Sequence, residues 1–147
     1  MSDGCSDILI SLEPHHSDNV LAGRKTVEIR RRRVHIQPGT RMWIYTKRPR
    51  AQVDAFAIVE SVHEGSREEL WTRFSSRLAL TRSLYDEYMS GCRTGCAIVL
   101  GSVSPLDKAI PLEDVRASFA GFHPPQFFKR LHAGSRELAV FRTLGYT

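Results

Sequence analysis

Cysteines are few in this chain of 147 residues, and long apolar runs are absent from it. There are three cysteines, a small and odd number that argues against a framework of disulfide bonds. No apolar run approaches the roughly 18–20 residues that cross a bilayer, so we expect no membrane-spanning segment. Residues 1–7 lack the basic and apolar regions of a secretory signal, and we therefore expect a cytoplasmic location.

The motifs that usually hold cofactors are also missing. Neither G-x-x-x-x-G-K-[ST] nor G-x-G-x-x-G occurs, so we predict no cofactor. Cys92 and Cys96 form a C-x3-C pair, but no second Cys or His pair has a spacing suited to zinc. We predict no metal site and expect Cys96 to open a buried strand, with Cys92 in the loop before it.

Acidic residues are nearly absent from residues 24–50. This segment has ten Lys and Arg and one acid, Glu28, which gives it a formal charge of +9 in a chain whose total is +5. Seventeen of the 21 basic residues are arginine, which pairs with phosphates and stacks on bases. Such a cluster predicts a face that binds a polyanion. RNA or a nucleotide is the preferred partner and DNA is possible. A membrane surface is disfavoured because the basic run has no amphipathic helical period.

The pattern of apolar residues predicts five or so strands and two or three helices. In a strand over residues 25–32, Val27 and Ile29 point to one side, and Glu28, Arg30 and Arg32 point to the other. Further strands are predicted at residues 8–12, 41–46, 53–62 and 95–101, with a short edge piece at 109–112. Helices are predicted to start around Pro14 and after a capping box at Ser66, and another is predicted over residues 81–89. These elements favour one domain over residues 1–147, a small and partly open barrel with helices at its rim.

A motif in the basic segment carries a family resemblance. Gly23, Lys25, Glu28 and Arg30 have the spacing G-x-K-x-x-E-x-R, which resembles the signature of ASCH domains in the PUA-like β-barrel superfamily. Residues 10–14 resemble the strand and proline that precede this signature in a stand-alone bacterial and archaeal branch. Residues 122–126 resemble the Pro-Pro-Gln element near the C-terminus of the proteins in that branch. The resemblance covers roughly residues 8–131. It implies an α+β fold, a PUA-like mixed barrel of about five to six strands with two to four flanking helices.

The resemblance also implies a site. In ASCH proteins the signature lines a cleft associated with RNA or nucleobase binding, which implies Lys25, Glu28 and Arg30 as cleft residues. Functions in the family range from RNA-binding regulators to a ribonuclease and an amidohydrolase of N4-acetylcytidine. The amidohydrolases have a nucleophilic threonine at the position of Glu28. A carboxylate cannot replace that hydroxyl well, because a mixed anhydride is a poor intermediate, and so this activity is disfavoured.

The predicted nucleic-acid-binding residues are the three motif residues and the basic residues after them. The full set is Lys25, Glu28, Arg30, Arg31, Arg32, Arg41, Lys47, Arg48 and Arg50. Because side chains alternate along a strand, we expect at most two residues of the run 31–33 on one surface. The structural alternative is an ordinary ion pair of Glu28 with Arg30 or Lys25.

Aromatic residues and histidines near the motif have two interpretations each. Trp43 and Tyr45 share one strand face and either stack on a base or pack in the core. His15 and His16, beside Pro14, either donate to a phosphate or are ordinary exposed residues.

Three classes of function stay open. The favoured one is an RNA- or nucleotide-binding module in RNA metabolism or regulation. The second is a hydrolase of RNA or of a modified nucleoside, with Lys25 and Glu28 as acid–base pair. The third is an adaptor whose basic patch meets an acidic protein.

Overall fold

Six strands form a mixed β-sheet in the computed structural model, which describes residues 7–145. The strands are β1 (Asp7–Leu12), β2 (Val27–Arg30), β3 (Arg41–Thr46), β4 (Gln52–Ser66), β5 (Thr94–Pro111) and β6 (Phe128–Leu131). Their order in the sheet is β2-β5-β4-β3-β1-β6. β1 and β3 are parallel, and the other neighbours are antiparallel. The predicted α+β class is confirmed. Within the described residues the edge strands β2 and β6 do not pair, so the sheet is open.

Within residues 7–145, five α-helices and one 3-10 turn (Ser75–Arg77) accompany the sheet. The helices are α1 (Pro14–Leu21), α2 (Arg67–Phe74), α3 (Arg82–Tyr88), α4 (Leu112–Ser118) and α5 (Arg136–Gly145). The capping box is present, since Ser66 Oγ accepts from the Glu69 N–H at 3.1 Å and the Glu69 carboxylate accepts from the Ser66 N–H at 2.9 Å. The number of helices exceeds the expected two to four because α4 and α5, both near the end of the chain, are formed as well.

Two strand predictions need correction, and one strand was missed. β2 is shorter than expected and ends at Arg30. The piece predicted at 109–112 is the end of β5, which follows β4 through several register shifts instead of forming a separate element. β6 was not predicted. It is held by antiparallel pairing with β1, which lies more than a hundred residues earlier in the chain.

The two faces of the sheet bury separate groups of side chains. The inner cluster, on one face, includes Ile10, Ile44 and Ile98, with Val20 of α1 packed on it. On the opposite face, the α5 cluster surrounds Trp43 and Phe141. The α3 cluster lies on that same face near β2 and includes Val27, Ile29 and Tyr85.

Both faces of β3 are therefore buried, and this decides the role of its aromatic residues. Trp43 is 0% exposed and Tyr45 is 4% exposed, both within the α5 cluster. The interpretation in which they stack on a base is wrong, and the core interpretation is confirmed. Cys96 is buried near the start of β5 and Cys92 precedes the strand, as predicted.

No helix within residues 7–145 is long and apolar enough to cross a membrane. Residues 1–6, on which most of the expectation about a secretory signal rests, lie outside the described part of the chain. The organisation as one domain over 1–147 stays a prediction.

Candidate nucleic-acid interface

The turn between α1 and β2 positions the motif. Gly23 has φ +79°, the left-handed conformation that commonly ends a helix and that favours glycine. The backbone N–H groups of Arg24 and Lys25 both donate to the Asn19 carbonyl, at 2.9 and 3.0 Å. The Thr26 N–H donates to the Arg77 carbonyl at 2.9 Å, which ties the start of β2 to the 3-10 turn. The chain therefore enters β2 in a fixed direction.

Lys25, Glu28 and Arg30 form one ionic network. Lys25 Nζ lies 3.3 Å from Glu28 Oε1 and donates to the Leu78 carbonyl at 3.1 Å. Arg30 Nε lies 3.0 Å from Glu28 Oε2, although its N–H is not aligned for a hydrogen bond with any described group. Lys25 is 2% exposed and Glu28 is 8% exposed. The structural alternative, an ion pair of Glu28 with both cations, is thus present, and it is buried instead of lying at the surface.

The charges around Glu28 decide its protonation. Burial by itself raises the pKa of Glu28, but the Lys25 ammonium and the Arg30 guanidinium outweigh burial and hold the pKa below its ordinary value. Glu28 is therefore an anion at neutral pH. The network as a whole carries one net positive charge, and it lies at the floor of a cleft.

This cleft has a volume of about 1040 Å³. Its walls come from α1, from the segment after β2, from α3 and from the chain leading into β6. Of the nine predicted binding residues, six line the cleft: Lys25, Glu28, Arg30, Arg31, Arg32 and Lys47. The structure thus brings the motif and most of the basic run to one concave surface.

All three arginines of the run 31–33 line this cleft, and the expectation of at most two is wrong. The reason is that β2 ends at Arg30, so that side chains no longer alternate between two faces. Arg31 donates to the Ser90 carbonyl and to Cys92 Sγ, each at 3.3 Å. The Arg33 guanidinium is paired with Glu64 at 2.5 Å.

The other three predicted residues, Arg41, Arg48 and Arg50, are not among those lining the cleft. The Arg41 guanidinium lies over the Phe56 ring, 4.6 Å from its centroid. Arg50 is paired with Asp18 at 2.9 Å and with Asp54 at 3.5 Å. Arg48 is exposed and precedes a cis proline. These three arginines belong to the basic segment of the sequence, but their side chains do not line the cleft.

Sequence reasoning missed the apolar part of the cleft. Leu84 and Tyr88 on α3 are 51% and 39% exposed, and Phe127 before β6 is 53% exposed. All three line the cleft. The Arg32 guanidinium lies 5.2 Å from the Phe127 ring centroid. Phe127 follows the Pro-Pro-Gln element, which was the one available signal; nothing in the sequence distinguished Leu84 and Tyr88 from core residues.

One hydrogen bond fixes the loop that carries Phe127. Ser11 Oγ on β1 donates to the Pro125 carbonyl at 2.7 Å. The wall formed by Gln126 and Phe127 is thereby attached to the sheet. Basic rims, an ionic floor and exposed rings together suit a ligand that has both phosphates and bases.

Metal ligands do not cluster in residues 7–145, where no group of three or more His, Cys, Asp or Glu is arranged to hold an ion. The chemistry available in the cleft from described side chains is that of arginine, lysine, glutamate, tyrosine and histidine, together with the serine, cysteine and glutamine that also line it.

Comparison with known proteins gives concordant results. Residues 9–121 match a family described as "Domain of unknown function (DUF365)". The "ASCH domain-containing ribonuclease" of Zymomonas mobilis is 33% identical over 120 residues, which are 82% of this chain and 80% of that protein. A crystal structure of ASCH from Zymomonas mobilis has 31% sequence identity and a TM-score of 0.87, with 94% of each chain covered. An NMR structure from Rhodopseudomonas palustris, at 15% identity and a TM-score of 0.54, covers 92% of this chain and 91% of its own and shows the fold alone.

Proposed function

This chain belongs to the ASCH domain family, and from that premise we propose that it binds RNA in the cleft around Lys25, Glu28 and Arg30 and cleaves it there. The proposal places the protein in RNA metabolism, in the cytoplasm. A free nucleotide and DNA are weaker ligand candidates on the same chemistry.

The observation that carries the binding proposal is the distribution of charge in the cleft. Arg31 and Arg32 are exposed at its rim, and Lys47 is half-buried there. Below them the Lys25–Glu28–Arg30 network has two cations and one anion. Phosphate groups of RNA would contact the rim, where guanidinium groups are accessible, and a base would enter the space above the network.

The Glu28 carboxylate has a further potential role as an acceptor of hydrogen bonds from an exocyclic amino group. Its two oxygens already face Lys25 and Arg30, but a carboxylate has about four lone-pair sites, so acceptor capacity is left. The same arrangement speaks against amide hydrolysis through Glu28, since the carboxylate is held by both cations and stays a weak nucleophile.

Cleavage is supported by the relative from Zymomonas mobilis that is named a ribonuclease, since this chain covers 80% of that protein. The sequence suggested Lys25 and Glu28 as acid–base pair. Because the pKa of Glu28 is lowered, its carboxylate is a weak proton acceptor, and we assign the network mainly an electrostatic role. Lys25 and Arg30 would stabilise the negative charge that builds up on a phosphate during cleavage.

The test combines binding and cleavage. Labelled single-stranded RNA, duplex RNA and duplex DNA are titrated with the protein by fluorescence anisotropy at two salt concentrations, and the same samples are run on denaturing gels. The double variant R31A/R32A is compared with R142A, which removes an arginine of α5 on the opposite face of the sheet.

We expect salt-dependent binding of RNA and slow cleavage in the wild type and in R142A, and weaker binding in R31A/R32A. Absence of both binding and cleavage for every polymer would contradict the proposal. Binding to an acidic peptide in place of RNA would favour the adaptor interpretation instead.

A further inference from the structure

His16 is a polar side chain of the cleft that the ionic network does not use. It lies in α1 and lines the cleft together with Lys25 and Glu28. Its Nδ1 atom is buried and has no hydrogen-bond partner among the described residues. Buried polar atoms in native proteins nearly always have a partner, and an exception calls for an explanation such as a functional role. The neighbouring His15 ring lies with its centroid 4.0 Å away.

The surroundings of His16 favour the neutral imidazole. Burial lowers the pKa of His16 below 6.5, and the positive charge of Lys25 and the adjacent His15 lower it further. Glu28 and Glu13 act in the opposite direction but do not compensate. A neutral imidazole has one nitrogen that can accept a proton, which neither Lys25 as an ammonium nor an ion-paired Glu28 offers.

We propose that the His16 imidazole accepts the proton of a ribose 2′-hydroxyl when RNA lies in the cleft, and that cleavage follows by attack of this oxygen on the adjacent phosphorus. The inference rests on the proposed function, since it assigns a catalytic residue to the same site. The geometry indicates which nitrogen acts. Nδ1 is closed off from solvent and would carry the proton of the neutral ring, so Nε2 of the same side chain, which lines the cleft with Lys25 and Glu28, would accept the proton of the hydroxyl.

The bonds and protons of this step balance within RNA, protein and water. The proton of the 2′-hydroxyl moves to His16, the 2′-oxygen bonds to phosphorus, and the bond from phosphorus to the 5′-oxygen breaks. The leaving oxygen takes a proton from water, and the hydroxide formed takes the proton from the imidazolium. The products are a 2′,3′-cyclic phosphate and a 5′-hydroxyl. Extra negative charge on the phosphate develops near Lys25 and Arg30.

The experiment compares wild-type protein, H16Q and the control H132Q in cleavage of labelled RNA between pH 5 and pH 8. His132 is exposed and lies after β6, away from the cleft. We expect H16Q to lower kcat about 10²–10⁴-fold, the range for loss of a general base, with RNA affinity retained. The wild type and H132Q should lose activity towards low pH with an apparent pKa below 6.5, and any residual activity of H16Q should lack that dependence. The wild-type products should have 2′,3′-cyclic phosphate ends by mass spectrometry.

Three results would overturn the inference. The first is cleavage by H16Q at nearly the wild-type rate. The second is an unchanged pH dependence in H16Q, and the third is wild-type cleavage of an oligonucleotide with 2′-deoxyribose at the scissile position. If wild-type protein neither binds nor cleaves RNA, the proposed function fails and the inference fails with it. If wild type cleaves and H16Q does as well, only the inference fails.

A second measurement does not depend on the folding or activity of a variant. In wild-type protein, the NMR resonances of the imidazoles are followed through a pH titration with and without a 2′-O-methyl oligonucleotide, which lacks the hydroxyl proton. We expect the His16 resonance to titrate below pH 6.5 and to shift when the oligonucleotide binds, while that of His132 stays in place. An unmoved His16 resonance in the presence of bound oligonucleotide would overturn the proposal.

Discussion

Lys25 Nζ and Glu28 Oε1 are 3.3 Å apart at the floor of the cleft, and both side chains are nearly inaccessible to solvent. Arg30 contacts the other carboxylate oxygen of Glu28. The three charged residues of the ASCH signature are therefore partners of one another before they contact any ligand. Because removal of one member leaves buried charges uncompensated, the signature is expected to affect stability as well as binding.

The first prediction concerns this buried pair. Glu28→Gln should lower the free energy of unfolding at pH 7 by about 3 kcal/mol, the usual cost of breaking a buried ion pair. The matched control is Glu64→Gln, whose partner Arg33 is 65% exposed, and that variant should lose less than about 1 kcal/mol. Urea denaturation of both variants measures the difference, and equal losses would contradict a buried network.

The second prediction is the pH dependence of the same pair. Folding lowers the pKa of Glu28 below its ordinary value of 4.5, so the unfolded chain takes up the proton first as pH falls. The stabilisation that ionised Glu28 contributes is fully present above pH 4.5, and it is lost as the pH falls through the lower pKa of Glu28 in the folded protein. The stability gap between wild type and E28Q should therefore narrow in acid. A gap that widens below pH 4 would show that the direction of the pKa shift is wrong.

The third prediction addresses the exposed ring of Phe127. If a base stacks on it, Phe127→Leu should weaken RNA binding by about 1–3 kcal/mol while leaving stability nearly unchanged. Leu144→Ala is the control, since it removes an exposed apolar side chain from α5 on the other face of the sheet. Equal affinities of the two variants, measured by anisotropy, would exclude a stacking role for Phe127.

The fourth prediction concerns a glycine that holds β5 close to β2. A Cβ atom at Gly95 would lie 2.7 Å from Met89 Cε and 3.0 Å from the Arg30 carbonyl oxygen. Met89 can shift, but the backbone of Arg30 cannot shift without disturbing the ionic network. We expect Gly95→Ala to cost about 1–3 kcal/mol of stability and to weaken RNA binding.

Gly134→Ala is the control for this change, because nothing lies within 4 Å of the added atom. It should alter stability by less than about 0.5 kcal/mol. Thermal unfolding of the two variants measures the difference in stability. A Gly95→Ala protein as stable as the wild type would contradict the close approach of β5 to β2.

The fifth prediction concerns salt. A plot of log affinity against log salt concentration is a straight line, and each phosphate contact adds a nearly constant amount to the steepness of its slope. Arg32→Ala should therefore reduce this slope by about 1, whereas Arg142→Ala should leave it unchanged. Parallel slopes for wild type and Arg32→Ala, from titrations at several salt concentrations, would show that Arg32 contacts no phosphate.

The motif face was predictable from sequence because a strand imposes a period of two. Val27 and Ile29 enter the α3 cluster while Glu28 and Arg30 line the cleft, as the alternation indicates. Where the strand ends is decided by pairing with β5, in which Cys96 is opposite Arg30. That pairing is a tertiary property, and for this reason the orientation of the arginines after Arg30 was predicted wrongly.

The limits of β3 were also predicted correctly, but the accessibility of its aromatic residues was not decided by sequence. Period-two alternation distinguishes the two faces of a strand only when one of them is exposed. β3 has the inner cluster on one side and the α5 cluster on the other, so Ile44 and Trp43 are both buried. Likewise, Phe127 lines the cleft because β6 pairs with β1 from the other end of the chain, a contact without a local signal.

The most direct test of the central claim is photocrosslinking of the wild-type protein to RNA that contains 4-thiouridine, with the crosslinked residues identified by mass spectrometry. We expect crosslinks on the cleft walls, at Tyr88, at Phe127 and in the run 31–33. Crosslinks confined to α4 and α5, on the opposite face of the sheet, would contradict RNA binding in this cleft.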